Sequence, residues 1–189
     1  RGLGDVYKRQ QLGIEITPPE NRFVTSVLWE GFSTHDQTGP IAYEARWNYF
    51  KDKQTSGTDN YYNHGIYNAW QYYGNAMGNP LLPGPLYNDD HSISFKSNRV
   101  KAQHFGVCGN PTSEISWRVL ATFSRHWGTY ATPLDKVRRQ NYSLAEVSYS
   151  PQWAKGWSVT VAGAIDRGNY LGNSTGGMLT FRKCGVIFK

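Results

Sequence analysis

The chain has 189 residues and a formal net charge of +6, and its composition excludes two broad classes of protein. Hydrophobic residues make up 39% of the chain and charged residues only 18%, which excludes an intrinsically disordered protein. The mean hydropathy is −0.60 and no run of about 18 apolar residues occurs, which excludes membrane-spanning helices. Soluble globular proteins and β-barrel membrane proteins remain, because the strands of a barrel alternate between apolar and polar side chains.

The aromatic and basic residues indicate the kind of partner. Seven Trp and thirteen Tyr outnumber eight Phe, so most rings carry a polar edge that suits a membrane interface or stacking on sugars. The positive charge predicts contact with anionic lipid head groups or with an acidic polysaccharide. Lysine and arginine are scattered along the chain rather than clustered, which argues against nucleic acid as a partner.

We predict one domain, preceded by a short foreign segment. Residues 1–10 resemble a translated sequencing-adaptor scar, and residues 11–189 are assigned to a single domain. The two cysteines, Cys108 and Cys184, lie in strand-like runs and lack the spacing of a metal site. We interpret both as small structural residues.

The first half of the domain begins with strand-like sequence and continues into a long aromatic segment. Residues 22–34 predict a strand, and residues 41–50 fit either a strand or a short helix. Residues 59–74 are rich in Tyr, Trp and Asn, and three of them fit one face of a two-turn helix: Ile66, Trp70 and Tyr73. Three prolines within residues 80–85 exclude regular structure there. We therefore predict a long, aromatic-rich loop across residues 59–85.

The second half shows the period-2 alternation of β-strands. Four runs predict strands: residues 115–123, 142–149, 157–166 and 177–188. The run 157–166 is the most regular, because its apolar face alternates with a face of small or polar residues, as in a strand that lines a filled lumen. The apolar face carries Trp157, Val159, Val161, Gly163 and Ile165. Residues 99–109 are strand-like too, but their phase is not settled by the pattern unless a bulge resets it.

The connections between these runs favour a closed barrel. Short links at residues 110–112 and 151–156 alternate with longer ones at residues 127–139 and 167–175. Tight turns at one end and longer loops at the other are typical of outer-membrane barrels. The sequence therefore predicts an all-β fold, an antiparallel transmembrane β-barrel with a long aromatic-rich loop. A soluble β-sandwich is the alternative.

Short motifs in a fixed order resemble the Wzi family of capsule assembly proteins, in the form found in Bacteroidetes. The resemblance covers residue 20 to the C-terminus and rests on NRF (21–23), VLWEGF (27–32), NYYN (60–63), GNPLL (78–82), NRVKA (98–102), WGTY (127–130), GW (156–157) and GGML (176–179).

This resemblance implies a location, a role and a set of partners. It implies a monomeric barrel in the bacterial outer membrane, of which this chain is the C-terminal part, in contact with outer-membrane lipid. It also implies assembly or attachment of capsular polysaccharide or exopolysaccharide at the cell surface, without catalysis. An incomplete barrel leaves unpaired strand edges in lipid, so the segment is not expected to work alone.

The residues best suited to hold a polysaccharide are aromatic rings next to polar side chains, together with two arginines. The aromatic-loop candidates are Tyr61, Tyr62, His64, Tyr67, Trp70 and Tyr72. Alternatively, these rings pack an internal plug or an interfacial girdle. Arg118 and Arg182 lie on the polar faces of their strands, where they hold anionic sugars or pair with Glu146 and Asp166.

Catalytic and metal-binding patterns are absent from the sequence. It contains no HExxH, GxSxG, P-loop or GxGxxG motif, and no pair of carboxylates lies in a recognisable setting. We interpret Asp89-Asp90-His91 as a solvated loop rather than a metal site, and we expect neither a cofactor nor enzymatic activity. Two alternatives to the outer-membrane barrel remain: a soluble secreted β-domain that binds carbohydrate and, with less support, a glycan-active enzyme.

Overall fold

The computed structural model describes residues 10–19, 21–36, 60, 62–63 and 70–185. Within these residues the chain has nine strands and one short turn of 3-10 helix, Pro85–Tyr87. The strands are β1 (Gln10–Ile16), β2 (Ser26–Ser33), β3 (Gln71–Tyr72), β4 (Asn75–Ala76), β5 (Val100–Gly109), β6 (Ile115–Gly128), β7 (Pro133–Tyr149), β8 (Trp157–Gly168) and β9 (Ser174–Lys183). In this part of the chain, no helix has the length and apolar character needed to cross a membrane.

Seven strands form one sheet in the order β1-β2-β5-β6-β7-β8-β9, and β3 pairs with β4 in a separate hairpin. The strands β7, β8 and β9 run antiparallel, with Val161 of β8 opposite Val147 on one side and Leu179 on the other. Within the described residues β1 and β9 are the end strands, and the sheet does not close on itself. The predicted antiparallel all-β class is confirmed, and closure into a barrel stays a prediction.

The strands predicted in the second half are all present, and most are longer than the pattern indicated. β6 continues to Gly128 and β7 already begins at Pro133, so most of the predicted long link at residues 127–139 is strand. The connections at residues 110–114, 129–132, 150–156 and 169–173 are of similar length. The predicted alternation of short and long links is therefore wrong for these hairpins. Gly128 adopts a φ of 82° at the β6–β7 turn, where a Cβ would lie 2.7 Å from the Leu134 nitrogen.

The strand β5 is regular and needs no bulge to set its phase. Val100 and Ala102 are buried, whereas Lys101, Gln103 and Phe105 are exposed on the opposite face. Lys101 and Gln103 therefore share a face with Phe105. The sequence pattern had left this point open. Cys108 is a free thiol in this strand, and Cys184 is a free, exposed thiol just after the last residue of β9.

Part of the aromatic segment forms a hairpin rather than the suggested helix. Gln71 pairs with Ala76 and Tyr72 with Asn75, so Tyr73 and Gly74 occupy the turn. Their φ angles are 48° and 79°, the left-handed values that a two-residue hairpin turn of type I′ requires at both central positions. The other proposed helix residue, Ile66, and the predicted element at residues 41–50 lie outside the described residues.

The chain forms two compact units with different interiors. The first contains residues 10–12, the described parts of residues 31–102 and residues 124–139, and buries the apolar side chains of Leu82, Phe95, Val100 and Ala102. The second contains residues 13–30, 103–123 and 140–185. Among its described residues the buried apolar side chains are those of Pro151 and Ala162, and the buried polar side chains are those of Thr122 and Gln140. The described part of the second unit is thus a many-stranded sheet without a large apolar core.

Candidate functional site

The apolar face of β8 is its exposed face. Val161 is 59% exposed and Trp157 and Ile165 are nearly half exposed, whereas Ala162 on the other face is only 6% exposed. The less exposed face consists of small or polar residues, namely Ser158, Thr160, Ala162, Ala164 and Asp166. A strand of a soluble protein buries its apolar side chains, so β8 has the opposite arrangement.

Neighbouring strands of the second unit repeat this reversed arrangement. On β6, Val119 and Phe123 are exposed while the alternate residue Thr122 is buried. Phe105 on β5 contacts Phe123 edge-on, with ring centroids 6.2 Å apart. Further exposed apolar side chains on the same face of the sheet are Val147, Tyr149, Leu179 and Phe181. We call this surface the apolar face of the sheet.

The opposite face of the sheet is held by polar contacts between strands, and we call it the polar face. Ser148 Oγ lies 2.7 Å from Thr160 Oγ1, and His104 Nδ1 lies 2.7 Å from Thr122 Oγ1. On this face the polar side chains therefore find their hydrogen-bond partners in one another.

The two candidate arginines both lie on the polar face, but only one has the partner suggested by the sequence. Arg118 Nη2 is 3.0 Å from Glu146 Oε1, so this side chain is paired within the sheet. Arg182 stands opposite Ser158, and its suggested partner Asp166 instead accepts a hydrogen bond from Ser174 Oγ at 3.1 Å. The pairing of Arg182 with Asp166 is therefore wrong, because the register separates them along β8.

Exposed tryptophan and lysine residues occur together at the turn between β7 and β8. Trp153 is 83% exposed, and Lys183 Nζ lies 5.4 Å from the centroid of the Trp157 ring. The same ammonium donates to the Lys155 carbonyl at 2.8 Å. Amphipathic rings and lysines in this combination suit a boundary between apolar and aqueous surroundings.

In the first unit, exposed aromatic rings cluster on the β3–β4 hairpin. Tyr72 is 71% and Tyr73 82% exposed, and their rings contact each other edge-on at 4.6 Å. Trp70 is also exposed, and the Met77 nitrogen donates to its carbonyl at 3.0 Å across the hairpin. The predicted candidates Trp70 and Tyr72 are thus both exposed at this hairpin.

The 3-10 turn adds further apolar side chains beside this hairpin. The Leu86 nitrogen donates to the Gly74 carbonyl at 2.9 Å, and Leu86 and Tyr87 are more than half exposed. Gly84 permits this approach, because a Cβ there would lie 2.2 Å from the Gly74 carbonyl oxygen. We call Trp70, Tyr72, Tyr73, Leu86 and Tyr87 the aromatic patch. Sequence reasoning missed Tyr73 and Tyr87, although the Tyr-Gly pair at 73–74 was a signal for a hairpin turn.

Tyr62, another predicted candidate, takes part in packing. Its ring lies 4.8 Å from the buried Phe95 ring, and its hydroxyl donates to the Met77 carbonyl at 2.9 Å. The alternative reading of this position as a packing residue therefore has direct contacts in its support. Tyr61, His64 and Tyr67, the remaining candidates, lie outside the described residues.

The asparagine next to Tyr62 fixes the backbone around Phe95. Asn63 Oδ1 accepts from the Phe95 nitrogen at 2.7 Å, and Asn63 Nδ2 donates to the Phe95 carbonyl at 2.8 Å and to Asn60 Oδ1 at 3.0 Å. Asn98 Nδ2 donates to the same Asn60 oxygen at 2.8 Å. Asn60, Asn63 and Asn98 thus form a structural clamp at the Phe95 backbone, which we call the asparagine clamp.

A polar cluster around His35 links β2 to the start of β5. Arg99 Nε donates to the His35 carbonyl at 3.1 Å, and Arg99 Nη2 lies 3.1 Å from His35 Nε2. Because a guanidinium only donates, His35 Nε2 accepts, and its Nδ1–H donates to Asp36 at 3.0 Å. The guanidinium also lies 4.1 Å from the centroid of the Tyr130 ring.

Burial changes the acid–base behaviour of His126 in the first unit. This side chain is fully buried, with Nε2 3.0 Å from Ser124 Oγ, and desolvation lowers its pKa from 6.5 to about 4. His126 therefore binds a proton near pH 6.5 in the unfolded chain, whereas in the folded chain it binds one only near pH 4. Stability is full above pH 6.5 and falls as the pH decreases towards 4.

Acidification is accordingly expected to destabilise the first unit through His126. Between pH 7 and pH 5 this one group should lower the free energy of unfolding by about 2 kcal/mol. Denaturant titrations of the wild type and of His126→Gln at both pH values measure the effect. The variant should lose the corresponding part of the pH dependence, and an equal loss of stability in both proteins would contradict the assignment.

The acidic loop that resembled a metal site is stabilised by a cation of the chain itself. Lys96 Nζ pairs with the Asp90 carboxylate, which also accepts from the Ser92 nitrogen at 3.1 Å. The hydrogen bond from Lys96 holds the pKa of Asp90 well below its usual range. This supports the interpretation of residues 89–91 as a loop with local pairing.

Comparison with known proteins adds no relative to this description. No family model, no curated protein and no solved structure matches the chain.

Proposed function

We propose that this chain belongs to an outer-membrane β-barrel that binds capsular polysaccharide or exopolysaccharide at the cell surface, without catalysis. One observation carries the membrane part of the proposal: in the second unit, large apolar side chains such as Val119, Val161 and Phe181 lie on the exposed face, whereas polar side chains on the other face pair with one another. This arrangement is unfavourable in water and favourable in lipid, where a barrel presents apolar residues outward and polar residues to its interior.

The length of the apolar face is consistent with this location. On β6 the apolar side chains extend from Ile115 to Phe123, and on β8 from Trp157 to Ile165. Spans of this kind match the roughly 9–11 residues that a tilted strand needs to cross the hydrocarbon layer. The Trp157 and Lys183 contact at one limit supports a boundary with the lipid head groups there.

The aromatic patch supports the polysaccharide part of the proposal. Tyr72 and Tyr73 expose most of their rings although a folded protein gains free energy by burying such rings. Sugars present C–H faces that stack on rings and hydroxyls that bond to the phenol oxygens, so exposed tyrosines are a suitable surface. The first unit carries this patch on a clamped scaffold, which reduces the loss of conformational entropy on binding.

Removing the two hairpin rings is expected to weaken binding of the polysaccharide. Tyr72→Ala with Tyr73→Ala should reduce affinity for purified capsular polysaccharide about tenfold or more, because truncation of a binding tyrosine often costs more than 1 kcal/mol. The matched control, Tyr72→Phe with Tyr73→Phe, keeps both rings and should retain most of the binding. Equal affinity of the alanine variant and the wild type, measured by calorimetry, would remove the patch from the proposed function.

A soluble carbohydrate-binding β-domain is the second candidate. It is favoured by the aromatic patch alone, and it requires that another layer of protein covers the apolar face of the sheet. The two candidates differ in location, so fractionation of the cell envelope distinguishes them. A glycan-active enzyme has no corresponding support among the described residues.

A further inference from the structure

The aromatic patch, which lies wholly in the first unit, belongs to a segment of the chain without lysine or arginine. Neither residue type occurs between Lys53 and Lys96, although the whole chain has a net charge of +6. Asp89 is exposed two residues after Tyr87, and Lys96 pairs with the neighbouring Asp90. Because exposed charges are largely screened from each other beyond about 8 Å at physiological ionic strength, the net charge of the chain does not decide which sugars the patch accepts.

The polar groups of the β3–β4 hairpin itself are uncharged. Besides the phenol hydroxyls of Tyr72 and Tyr73, the hairpin carries the amides of Gln71 and Asn75. Phenols and amides both donate and accept hydrogen bonds, as sugar hydroxyls do. A carboxylate, sulfate or phosphate on a sugar needs charged or multiple donors to offset the loss of its hydration. The hairpin side chains are therefore suited to hydroxyls rather than to anions.

The two tyrosine rings of the hairpin form a corner. Their planes are inclined at 81° with centroids 4.6 Å apart, and both rings are mostly exposed. A pyranose ring has an apolar C–H face and edges that carry hydroxyls. Its face can stack on one tyrosine ring while an edge reaches the hydroxyl of the other. The corner thus matches the shape and the polarity of a neutral sugar.

Tyr73 holds its ring in this corner at a conformational cost. Its φ of 48° lies in the left-handed region, which bulky side chains adopt rarely and at a cost in free energy. Asparagine, aspartate and glycine are preferred at this position of a type I′ turn, and Gly74 at the next position follows that preference. Backbone strain of this kind is concentrated at ligand-binding sites. Turn chemistry therefore does not account for a tyrosine at position 73, whereas a role for its exposed ring does.

We propose that the aromatic patch binds neutral pyranose residues of the polysaccharide, with Tyr73 as the ring on which the sugar stacks. This inference rests on the proposed function and narrows it, because the net charge of the chain alone favours an acidic polymer. Uronic acids and sugars with phosphate or sulfate groups are excluded from the patch, since a carboxylate rather than a cation follows its rings in the chain.

The charge of the bound sugar is tested through the contribution of the patch to affinity. That contribution is the ratio of the affinities of the wild type and of Tyr72→Ala with Tyr73→Ala, measured by calorimetry on the complete gene product in detergent. The ligand is purified capsular polysaccharide, native or with its uronic-acid carboxyl groups reduced to alcohols, at about 0.05 M and about 0.5 M salt. The ratio should stay within about twofold across the four conditions, because stacking and neutral hydrogen bonds are not screened.

The outcomes separate this inference from the proposed function. A ratio that stays near tenfold in every condition supports neutral sugars as the ligand of the patch. A ratio that falls towards one at high salt or after reduction of the carboxyl groups would overturn that assignment while leaving the patch as a polysaccharide site. A ratio of one in all four conditions contradicts the polysaccharide role of the patch itself, and the inference falls with it.

Two single substitutions test the role of Tyr73. Tyr73→Asn and Tyr73→Ala both remove the ring and should weaken binding about fivefold or more. Only Tyr73→Asn also relieves the turn, because it creates the Asn-Gly pair that type I′ turns prefer, and it should raise the midpoint temperature of unfolding by about 2–4 °C. Wild-type binding by either variant would overturn Tyr73 as the stacking ring. A lower midpoint for Tyr73→Asn than for Tyr73→Ala would mean that the fold, not the ligand, requires the tyrosine.

Discussion

Replacing Val161 by lysine is expected to prevent stable insertion of the protein into lipid vesicles. Val161 lies at the centre of the apolar face, flanked by Val147 and Leu179 on the neighbouring strands. A lysine at the midplane of a transmembrane strand costs about 2–4 kcal/mol, because the ammonium must leave water or distort the bilayer. The free energy of folding in vesicles, measured by denaturant titration of tryptophan fluorescence, should decrease by that amount.

The neighbouring position provides the matched control. Thr160→Lys places the same charge at almost the same depth but on the polar face, between Ser148 and Thr180. It removes the hydrogen bond to Ser148, which costs about 1 kcal/mol, and should otherwise be tolerated. In the soluble candidate a second layer of protein covers this face, so Val161→Lys would destabilise a protein that does not enter vesicles. Equal stability of Val161→Lys and wild type would thus contradict the assignment of this face to lipid.

Asn63→Asp is expected to destabilise the first unit by about 2–4 kcal/mol. The substitution keeps the acceptor for the Phe95 nitrogen but replaces the Nδ2 donor by an oxygen. The Phe95 carbonyl and Asn60 Oδ1 then each lose a partner and face a negative charge. The partly buried Phe95 carbonyl left without this bond costs about 1–3 kcal/mol, and the packing of Tyr62 on Phe95 depends on this backbone.

The same chemical change in the same unit distinguishes the clamp from a general effect of charge. Asn75→Asp alters an exposed residue of the β3–β4 hairpin and should change stability by less than about 0.5 kcal/mol. Hydrogen exchange at the Phe95 amide gives a local readout, because that N–H should lose protection in Asn63→Asp alone. Similar protection in both variants would show that the clamp does not hold this segment.

The sequence was sufficient for the strands of the second half and for their faces. Alternation over residues 157–166 predicted β8 and separated Val161 from Ala162, because side chains in a strand alternate strictly between two sides. The pairing of Arg118 with Glu146 was likewise suggested by their shared polar face, and the 3.0 Å distance bears it out. Which face is exposed could not be read from the pattern, since alternation is the same in a sandwich and in a barrel.

Other features depended on contacts between distant parts of the chain. The asparagine clamp joins residues 60–63 to Phe95, which lies more than thirty positions away, and no local propensity encodes such a pairing. The ends of β6 and β7 were predicted too short because Arg125, Arg138 and Arg139 interrupt the apolar pattern where the strands continue.

Location in the outer membrane is the central claim, and envelope fractionation tests it most directly. The complete gene product, expressed with a signal peptide, is separated into periplasmic, inner-membrane and outer-membrane fractions and run on a gel with and without boiling. We expect it in the outer-membrane fraction with heat-modifiable mobility, as a folded barrel resists detergent until heated. A soluble periplasmic or secreted product without a mobility shift would contradict the account and leave a carbohydrate-binding β-domain in its place.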